Sequence, residues 1–390
     1  MDCATFETLL SPIGQTALAA AAKLGPTEEA FLSALARLQK DYPGDLAKAA
    51  LETTILRARA KTKFSHAGQM YFTREALEQA SSEAISVYRS RRYAPFASVG
   101  DLACGLGGDA IGLAGRNPAG LTSLMDFDPL RLALARANLA AYGREGQAGF
   151  VCADLTSAPL PPVEALWFDP ARREQGRRAF SVHAYHPPLS IVKNWLAHIP
   201  ALGVKISPGV DLAELAGYDA EIEFISESGE LKECTLWFGP LKTAPRRATL
   251  LPGPHTLLAD PRAVVSVSAP QAYLYEPDPA ILRAGLVTTL AAQLNAHQLD
   301  PSIAYLTSDT LTPTPFARSF VIEEALPFQL KRLRARLRAL RVGEVTVKKR
   351  GSPLEPEALI RQLKPSGPES RIVFLTQVSG KPYALIGRAS

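Results

Sequence analysis

Apolar residues along this chain follow two periods, and the change from one to the other falls near residue 96. In residues 1–95 they recur at helical spacing, with Phe31, Leu35 and Leu38 on one face of "TEEAFLSALARLQKDY". "PGDLAKAALETTILRARAK" continues in that style, and "QMYFTREALEQASSEAISVYRSRRY" predicts a helix with Thr73 as N-cap and Glu75 in its first turn. From 96 onward, short apolar runs alternate with helices. "FASVGDL" (96–102), "TSLMDF" (122–127), "GFVCAD" (149–154), "ALWFDP" (165–170) and "GVKISP" (203–208) read as strands buried on both faces, which predicts a parallel sheet. Between the second and third runs, Asp128 caps, Pro129 opens and Gly143 stops a helix with Leu130, Leu134, Ala137 and Ala141 on one face. "EIEFISESGELKECTLWFG" (221–239) predicts a hairpin turning at "ESGE". "LPFQLKRLRARLRALRVG" (326–343) predicts an amphipathic helix carrying Leu326, Leu330, Leu333, Leu337 and Leu340, and "RIVFLTQVSGKPYALIG" predicts a hairpin after it.

This order gives an α/β fold in parts: a helical N-terminal domain (1–95), a doubly wound core (96–240), a linker or α+β segment (241–325) and a smaller α+β domain (326–390). At 390 residues and 47% hydrophobic composition the chain is too long for a single core. It lacks an apolar run of about 18 residues, which argues against a membrane span. "MDCATFETLL" has an early acid and no basic start, so it reads as helix rather than signal peptide. The four cysteines never fall as CxxC, which fits a reducing, cytoplasmic setting without disulfides or zinc fingers. A net charge of +5 permits a polyanionic partner. Residues 331–350 concentrate nine Lys or Arg against the single acid Glu344, either as a solvated face or as a nucleic-acid contact.

The densest chemistry is "DLACGLGGDA" (101–110), where a strand ends in an acid and a glycine turn. Gly105 and Gly107 formally satisfy a dinucleotide fingerprint, with Ala110 in the last place. They equally suit the nucleoside turn of enzymes that use S-adenosylmethionine (SAM). The surroundings separate the two readings. Asp101 suits a ligand with a cationic amino-acid tail and would repel a pyrophosphate. Asp126, closing the second strand, can accept both ribose hydroxyls, a feature common to both readings. Asp154 closes the third strand and can accept from an adenine amino group, and Asp169-Pro170 closes the fourth. Ligands of open α/β sheets bind at the carboxyl ends of strands, so four acids there favour SAM. The plainer reading is that such aspartates only cap the helices that follow, as Asp128 does and Asp109 does in part.

"DLACGLGGDAIGLA", "MDFDPLRLALARANLAAYG", "FVCADL" and "WFDPARR" resemble the motifs of class I SAM-dependent methyltransferases. The order "QMYFTREALEQA…DLACGLGGD…DFDP…N…YG" is similar to the trimethylguanosine synthase branch, which methylates the exocyclic N2 of guanosine in RNA. Over about 60–390 the similarity extends to bacterial proteins that join this core to a C-terminal THUMP-like domain, carried here by "VTVKKRG" and the basic helix before it. The resemblance implies a Rossmann-like class I methyltransferase core, SAM as cofactor and RNA as partner, held by the basic 331–350 segment. It implies that Phe72 and Thr73 lie over the cofactor, and that Asp101, Cys104, Gly105, Gly107, Asp126 and Asp154 surround it.

Amino methyltransferases commonly show D/N/S-P-P-aromatic after the fourth strand, whereas this chain has Asp169-Pro170-Ala171-Arg172. Asp169 and the Pro170 carbonyl can accept hydrogens from an exocyclic amine and stabilise its developing positive charge. Arg172 can pair with a carbonyl edge or a phosphate, Arg173 can join it on the substrate, and Tyr185 can stack on a base. Lys205 either reaches the site from the fifth strand or serves as a buried salt-bridge partner. Cysteine-dependent carbon-5 chemistry is excluded, because Cys104 belongs to the glycine turn and Cys152 to a strand interior. His183 and His186 have no third ligand nearby, so they read as loop histidines and no metal is expected. The expectation is methylation of a base nitrogen of RNA. The alternatives are a DNA, protein or small-molecule acceptor, or a SAM- or RNA-binding protein without catalysis.

Overall fold

The structure, a computed structural model, describes the chain except residues 172, 175, 176, 179 and 180, with backbone alone at 173–174 and 177–178. The chain divides into two compact units: 1–221 with 233–243, and 222–232 with 244–390.

The first unit begins with α1 (Cys3–Leu10), α2 (Pro12–Leu24), α3 (Phe31–Leu38), α4 (Gly44–Ala60), α5 (Arg74–Gln79) and α6 (Glu83–Ser90). Local chemistry marks their starts. Asp2, Ser11, Thr73 and Ser82 each accept a backbone N–H of the first turn, so the predicted Thr73 cap is present. Next come β1 (Ser98–Leu102), α7 (Gly108–Gly115), β2 (Leu121–Asp126), α8 (Pro129–Ala141), β3 (Ala148–Cys152), β4 (Ala165–Phe168), α9 (Val192–Leu196) and β5 (Ala201–Ile206). β6 (Glu221–Glu227) and β7 (Glu230–Trp237) follow as a hairpin, whose residues 222–232 belong to the second unit, joined by Ser228 and Gly229 at φ 54° and 80°. Positive φ at both central residues is the turn that matches strand twist.

In the first unit the strands lie in the order β7–β5–β4–β1–β2–β3. All neighbours are parallel except β7, which runs antiparallel to β5 with Gly203 opposite Trp237. The chain winds outward from β1 in both directions, so the switch point lies between β1 and β4. β4 and β5 are buried throughout, as predicted. β3 is different: it is the edge strand, and Cys152 at its end is exposed rather than interior. On one side of the sheet Phe6, Leu9, Ala50, Ile111, Leu134 and Leu139 join one core. On the other, Tyr93, Val99, Trp167 and Trp237 form a second. The buried face of α8 is Leu132, Leu134, Ala135, Asn138 and Leu139, with Leu130, Ala137 and Ala141 only partly covered. The helix was legible, but its innermost stripe is rotated from the predicted one because the leading helices also pack against it.

In the second unit β8 (Arg246–Leu251) pairs in parallel with β6 and antiparallel with β9 (His255–Leu258). The remaining elements are β10 (Tyr273–Pro277), α10 (Pro279–Ala284), α11 (Val287–Leu294), β11 (His297–Asp300), β12 (Ile303–Ser308), β13 (Ala317–Pro327), α12 (Leu330–Ala339), β14 (Val342–Lys349), α13 (Pro356–Leu363), β15 (Glu369–Val378) and β16 (Lys381–Ala389). Their sheet runs β11–β12–β10–β13–β16–β15–β14, and only β14 and β15 are parallel. The predicted helix starts four residues later than expected, because Leu326 and Pro327 complete β13 and Gln329 is still extended. Leu333 and Leu337 are its buried positions, packed with Leu359, Leu363 and Leu375.

One contact sets the position of the glycine turn. A Cβ on Gly112 in α7 would lie 2.5 Å from the Ser86 carbonyl oxygen of α6, and the Gly112 N–H donates to Ser86 Oγ at 3.0 Å. On an isolated helix Gly→Ala would stabilise by about 1 kcal/mol. Here the added methyl meets backbone, so Gly112→Ala is expected to destabilise by about 1–3 kcal/mol in urea unfolding. A stabilised variant would show that α6 and α7 do not pack this closely.

Candidate active site

The carboxyl ends of β1–β4 open onto a cavity of about 320 Å³. Its walls come from the end of α5 (Gln79, Ala80, Ser81), the glycine turn (Cys104, Gly105), the end of β2 (Asp126, Phe127), Asp154 and the 169–171 segment. The turn needs its composition. Ala103, Gly105 and Gly107 all have positive φ (58°, 56° and 80°), which only glycine adopts freely. At Gly107 a Cβ would lie 3.1 Å from Ala135 of α8, so this glycine also allows close packing. Buried Asn138 fastens the turn to the 70–72 segment. Its Nδ2 donates to the carbonyls of Leu106 (2.9 Å) and Tyr71 (3.0 Å), and its Oδ1 accepts the Tyr71 N–H (2.7 Å). Lys63 Nζ donates to the carbonyls of Leu77 (2.7 Å) and Ala80 (2.9 Å), fixing the α5 end that forms one wall.

Behind the wall lies a cluster of buried charge. Arg89 reaches both Asp109 and Glu233, the latter at 2.8 Å, and its guanidinium lies 4.2 Å from the Trp167 ring centre. Trp167 Nε1 donates to Asp109 Oδ2 at 2.9 Å. Lys205 Nζ donates to Asp169 Oδ2 (2.7 Å) and to the Gln79 carbonyl (3.2 Å). Asp101 is fully buried, and among the described residues neither of its carboxylate oxygens has a hydrogen-bond partner. Burial, compounded by Asp109 and Asp169, pushes the Asp101 carboxyl well above the usual carboxylate range. For Asp109 burial is the largest single influence and acts in the same direction, but Arg89 and Lys205 together with the hydrogen bonds from Trp167 and Ser81 outweigh it and hold that carboxyl low.

The remaining acids differ by environment. Asp126 Oδ2 accepts the Gly105 N–H (2.9 Å) and Oδ1 the Asp128 N–H (3.0 Å), yet burial still raises its carboxyl. Exposed Asp154 accepts the Thr156 N–H and hydroxyl, both at 2.8 Å, which lowers it. Burial pushes the Cys104 thiol well up, so it stays protonated and is no nucleophile.

Of the residues expected at the site, Cys104, Gly105, Asp126, Asp154, Asp169 and Pro170 line the cavity, and Asp101 lies behind it. Lys205 takes the salt-bridge alternative. Phe72 is buried against Phe64 and Thr73 is occupied as the α5 cap; the cavity wall begins beyond them, at Ala76. Tyr185 is buried and its hydroxyl oxygen accepts the Ser207 N–H at 3.0 Å, so it is not placed to stack on a ligand. Arg172 and the Arg173 side chain lie outside the described residues. Sequence reasoning read Asp109 as a partial helix cap and His186 as a loop histidine and passed over Phe127, yet all three line the cavity. Phe127 carried a signal: it is an aromatic placed directly after the second strand's acid, and it is 62% exposed. Among the described residues no group of three or more His, Cys, Asp or Glu could hold a metal, and no helix is long and apolar enough to cross a membrane.

The cavity residues fit SAM. The orphaned Asp101 carboxylate calls for a cation, and the open space at Gly105 lets a ligand approach bare backbone. Residues 317–389 match the family described as THUMP domain-like, and residues 2–60 match a domain of unknown function (DUF8688). The chain is 36% identical over 345 residues to an uncharacterised S-adenosylmethionine-dependent methyltransferase of Mycobacterium tuberculosis, recorded from strains CDC 1551 and H37Rv, which covers 86% of this chain and 94% of that protein. It also superposes on the crystal structure of a protein provisionally named a methyltransferase from Porphyromonas gingivalis W83. There the TM-score is 0.79 at 25% identity, covering 96% of this chain and 98% of the other. Kinship of that degree along most of the chain, on a sheet wound out from β1, makes this protein a member of the class I SAM-dependent methyltransferases with a THUMP-like domain over 317–389.

Proposed function

We propose that this enzyme methylates a nitrogen of an RNA base, with the chemistry of an exocyclic amine such as guanine N2. The observation that carries the proposal is the Asp169–Lys205 pair. Lys205 holds one oxygen, Oδ2, of this cavity-lining residue, and the other oxygen would serve as the acceptor for substrate. A paired carboxylate with one acceptor left suits an N–H donor. Accepting from the amine turns its lone pair out of conjugation with the ring, and the carboxylate stabilises the positive charge that develops on nitrogen. The Pro170 carbonyl would take the second amine hydrogen.

SAM, when bound, supplies the methyl group as an electrophile on sulfur. Asp101 and the backbone at Gly105 would hold its amino-acid end. Asp126 would take the ribose hydroxyls, and Phe127 and Asp154 the adenine. Alignment of the amine against the donor supplies much of the rate, so the rigid network behind the wall acts by positioning. RNA as the acceptor is supported by the THUMP-like match and by the cations of 331–350. Arg336, Lys348 and Lys349 of that stretch have carboxylate partners, but Lys331, Arg332, Arg338, Arg341 and Arg350 have none among the described residues. The Ala171-Arg172 departure from the proline–aromatic pattern sets this chain apart from the trimethylguanosine synthase branch in how the base is held.

Two outcomes follow. Removing Asp169 alone would strand a buried Lys205 at a cost of about 3–5 kcal/mol, so the informative variant is Asp169→Asn with Lys205→Met. It should fold and bind SAM, and its methyl-transfer turnover should fall about 10²–10⁴-fold in a labelled-methyl assay. Undiminished turnover would remove Asp169 from the chemistry. With RNA from cells lacking the gene, the wild-type enzyme should transfer label to RNA, and nucleoside mass spectrometry should find it on a base nitrogen. Label on protein or DNA instead would overturn the RNA reading.

A further inference from the structure

The second unit contains a cavity of about 470 Å³ that plays no part in the chemistry above. Ligand pockets generally run from about 300 to 1,000 Å³, so this one is too large for a bare ion and suits a small organic anion. Its wall is in part apolar and stiff, with Leu251, Pro252, Pro277 and Pro315. Its polar side is basic: His255, Arg318, Lys348 and Arg350 converge on it, facing the acids Glu276 and Asp278.

Both acids are already engaged. Lys348, on the edge strand β14, reaches Glu276 of β10, so the sheet curls to bring its distant strands together. Asp278 Oδ1 accepts the Ala280 N–H at 2.8 Å as the cap of α10. Arg318 and Arg350 have no ion-pair partner among the described residues. Arg318 stands opposite Glu276 in the β10–β13 register but makes no ion pair with it. Its guanidinium rests against the hairpin tip, where a Cβ on Gly229 would come within 3.0 Å of it. Arg350 lies over the Tyr305 ring, 5.2 Å from its centre. Burial, with Glu276 nearby, pushes the Tyr305 hydroxyl up to about 12, so it stays neutral and supplies no counter-charge to Arg350.

Two arginine forks without carboxylates, at the mouth of a stiff-walled cavity, present planar donors of the kind that match phosphate oxygens. We propose that this cavity binds one phosphorylated nucleotide unit of the RNA substrate, with Arg318 and Arg350 on its phosphate and the proline-rich wall against its sugar and base; this rests on the RNA reading above. The exposed cations of α12 then contribute general attraction, and the cavity fixes the strand's register.

The test uses the full chain and two probes, bulk transfer RNA and a mixed-sequence single strand, with affinity followed by fluorescence anisotropy across salt. The variant is Arg318→Gln with Arg350→Gln, and the control is Arg332→Gln with Arg338→Gln on the exposed face of α12. The cavity variant should lose about tenfold or more in RNA affinity, and its log–log salt slope should shrink by about one, for the one phosphate contacted. Its melting temperature and SAM affinity should equal wild type. The paired Arg→Lys variant should keep the slope and lose part of the affinity, because charge remains and the fork does not. The control should lose less affinity than the cavity variant. If the cavity variant binds RNA with wild-type slope, the cavity proposal is overturned and the RNA reading stands. If the wild-type chain binds neither probe at low salt, the RNA reading itself fails and the cavity assignment with it.

Discussion

A surplus of buried negative charge behind the glycine turn is the constraint around which the candidate site is organised. Buried Asp101, Asp109 and Glu233, with half-buried Asp169, lie against two cations, Arg89 and Lys205. Arg89 satisfies Asp109 and Glu233, Lys205 satisfies Asp169, and Asp101 is left over. Leaving a buried charge unpaired costs several kcal/mol, and burial accordingly pushes the Asp101 carboxyl well above the usual carboxylate range. The sign follows from linkage. A carboxyl raised in the folded state binds protons that the unfolded chain has released, so ionising it as pH rises removes stability. On the proposed reading, a ligand whose ammonium reaches Asp101 would reverse that loss and be favoured over a pyrophosphate.

The same network explains why the leading helices belong to the catalytic unit. Arg89 sits at the end of α6 and is buried only because α6 lies on α7. Lys63 and Asn138 tie the α5 end and the 70–72 segment to the core from opposite sides. The helices thereby build one wall of the cavity and supply the cation that keeps Asp109 ionised. β7 closes the network from the other direction, since it brings Glu233 beside β5.

The strand–helix alternation after residue 96 and the four strand-ending acids were readable in the sequence, because both are local patterns of burial and capping. Asp128, Thr73, Gly105 and Gly107 likewise declare themselves through neighbours a few residues away. Arg89 with Glu233 did not, for the partners are 144 residues apart and neither has a local signature. Phe72, Thr73 and Tyr185 illustrate the opposite error. Phe72 is buried, Thr73 is occupied as the α5 cap and the Tyr185 hydroxyl accepts the Ser207 N–H, so on this side the wall is made by the residues that follow α5's first turn. The helix over 326–343 was shortened by β13, whose pairing with β10 and β16 is long-range and overrides the local leucine spacing.

The most direct measurement is calorimetric titration of SAM into the wild-type enzyme near pH 6, in two buffers of different ionisation heat. At that pH the amino group of SAM is already protonated, so any proton exchanged comes from the protein. If Asp101 is held protonated until a cation arrives, binding releases a proton and the observed heat differs between buffers by that amount. Tight binding with a heat independent of buffer, or with net proton uptake, would contradict the claim that an uncompensated buried acid recognises the cofactor.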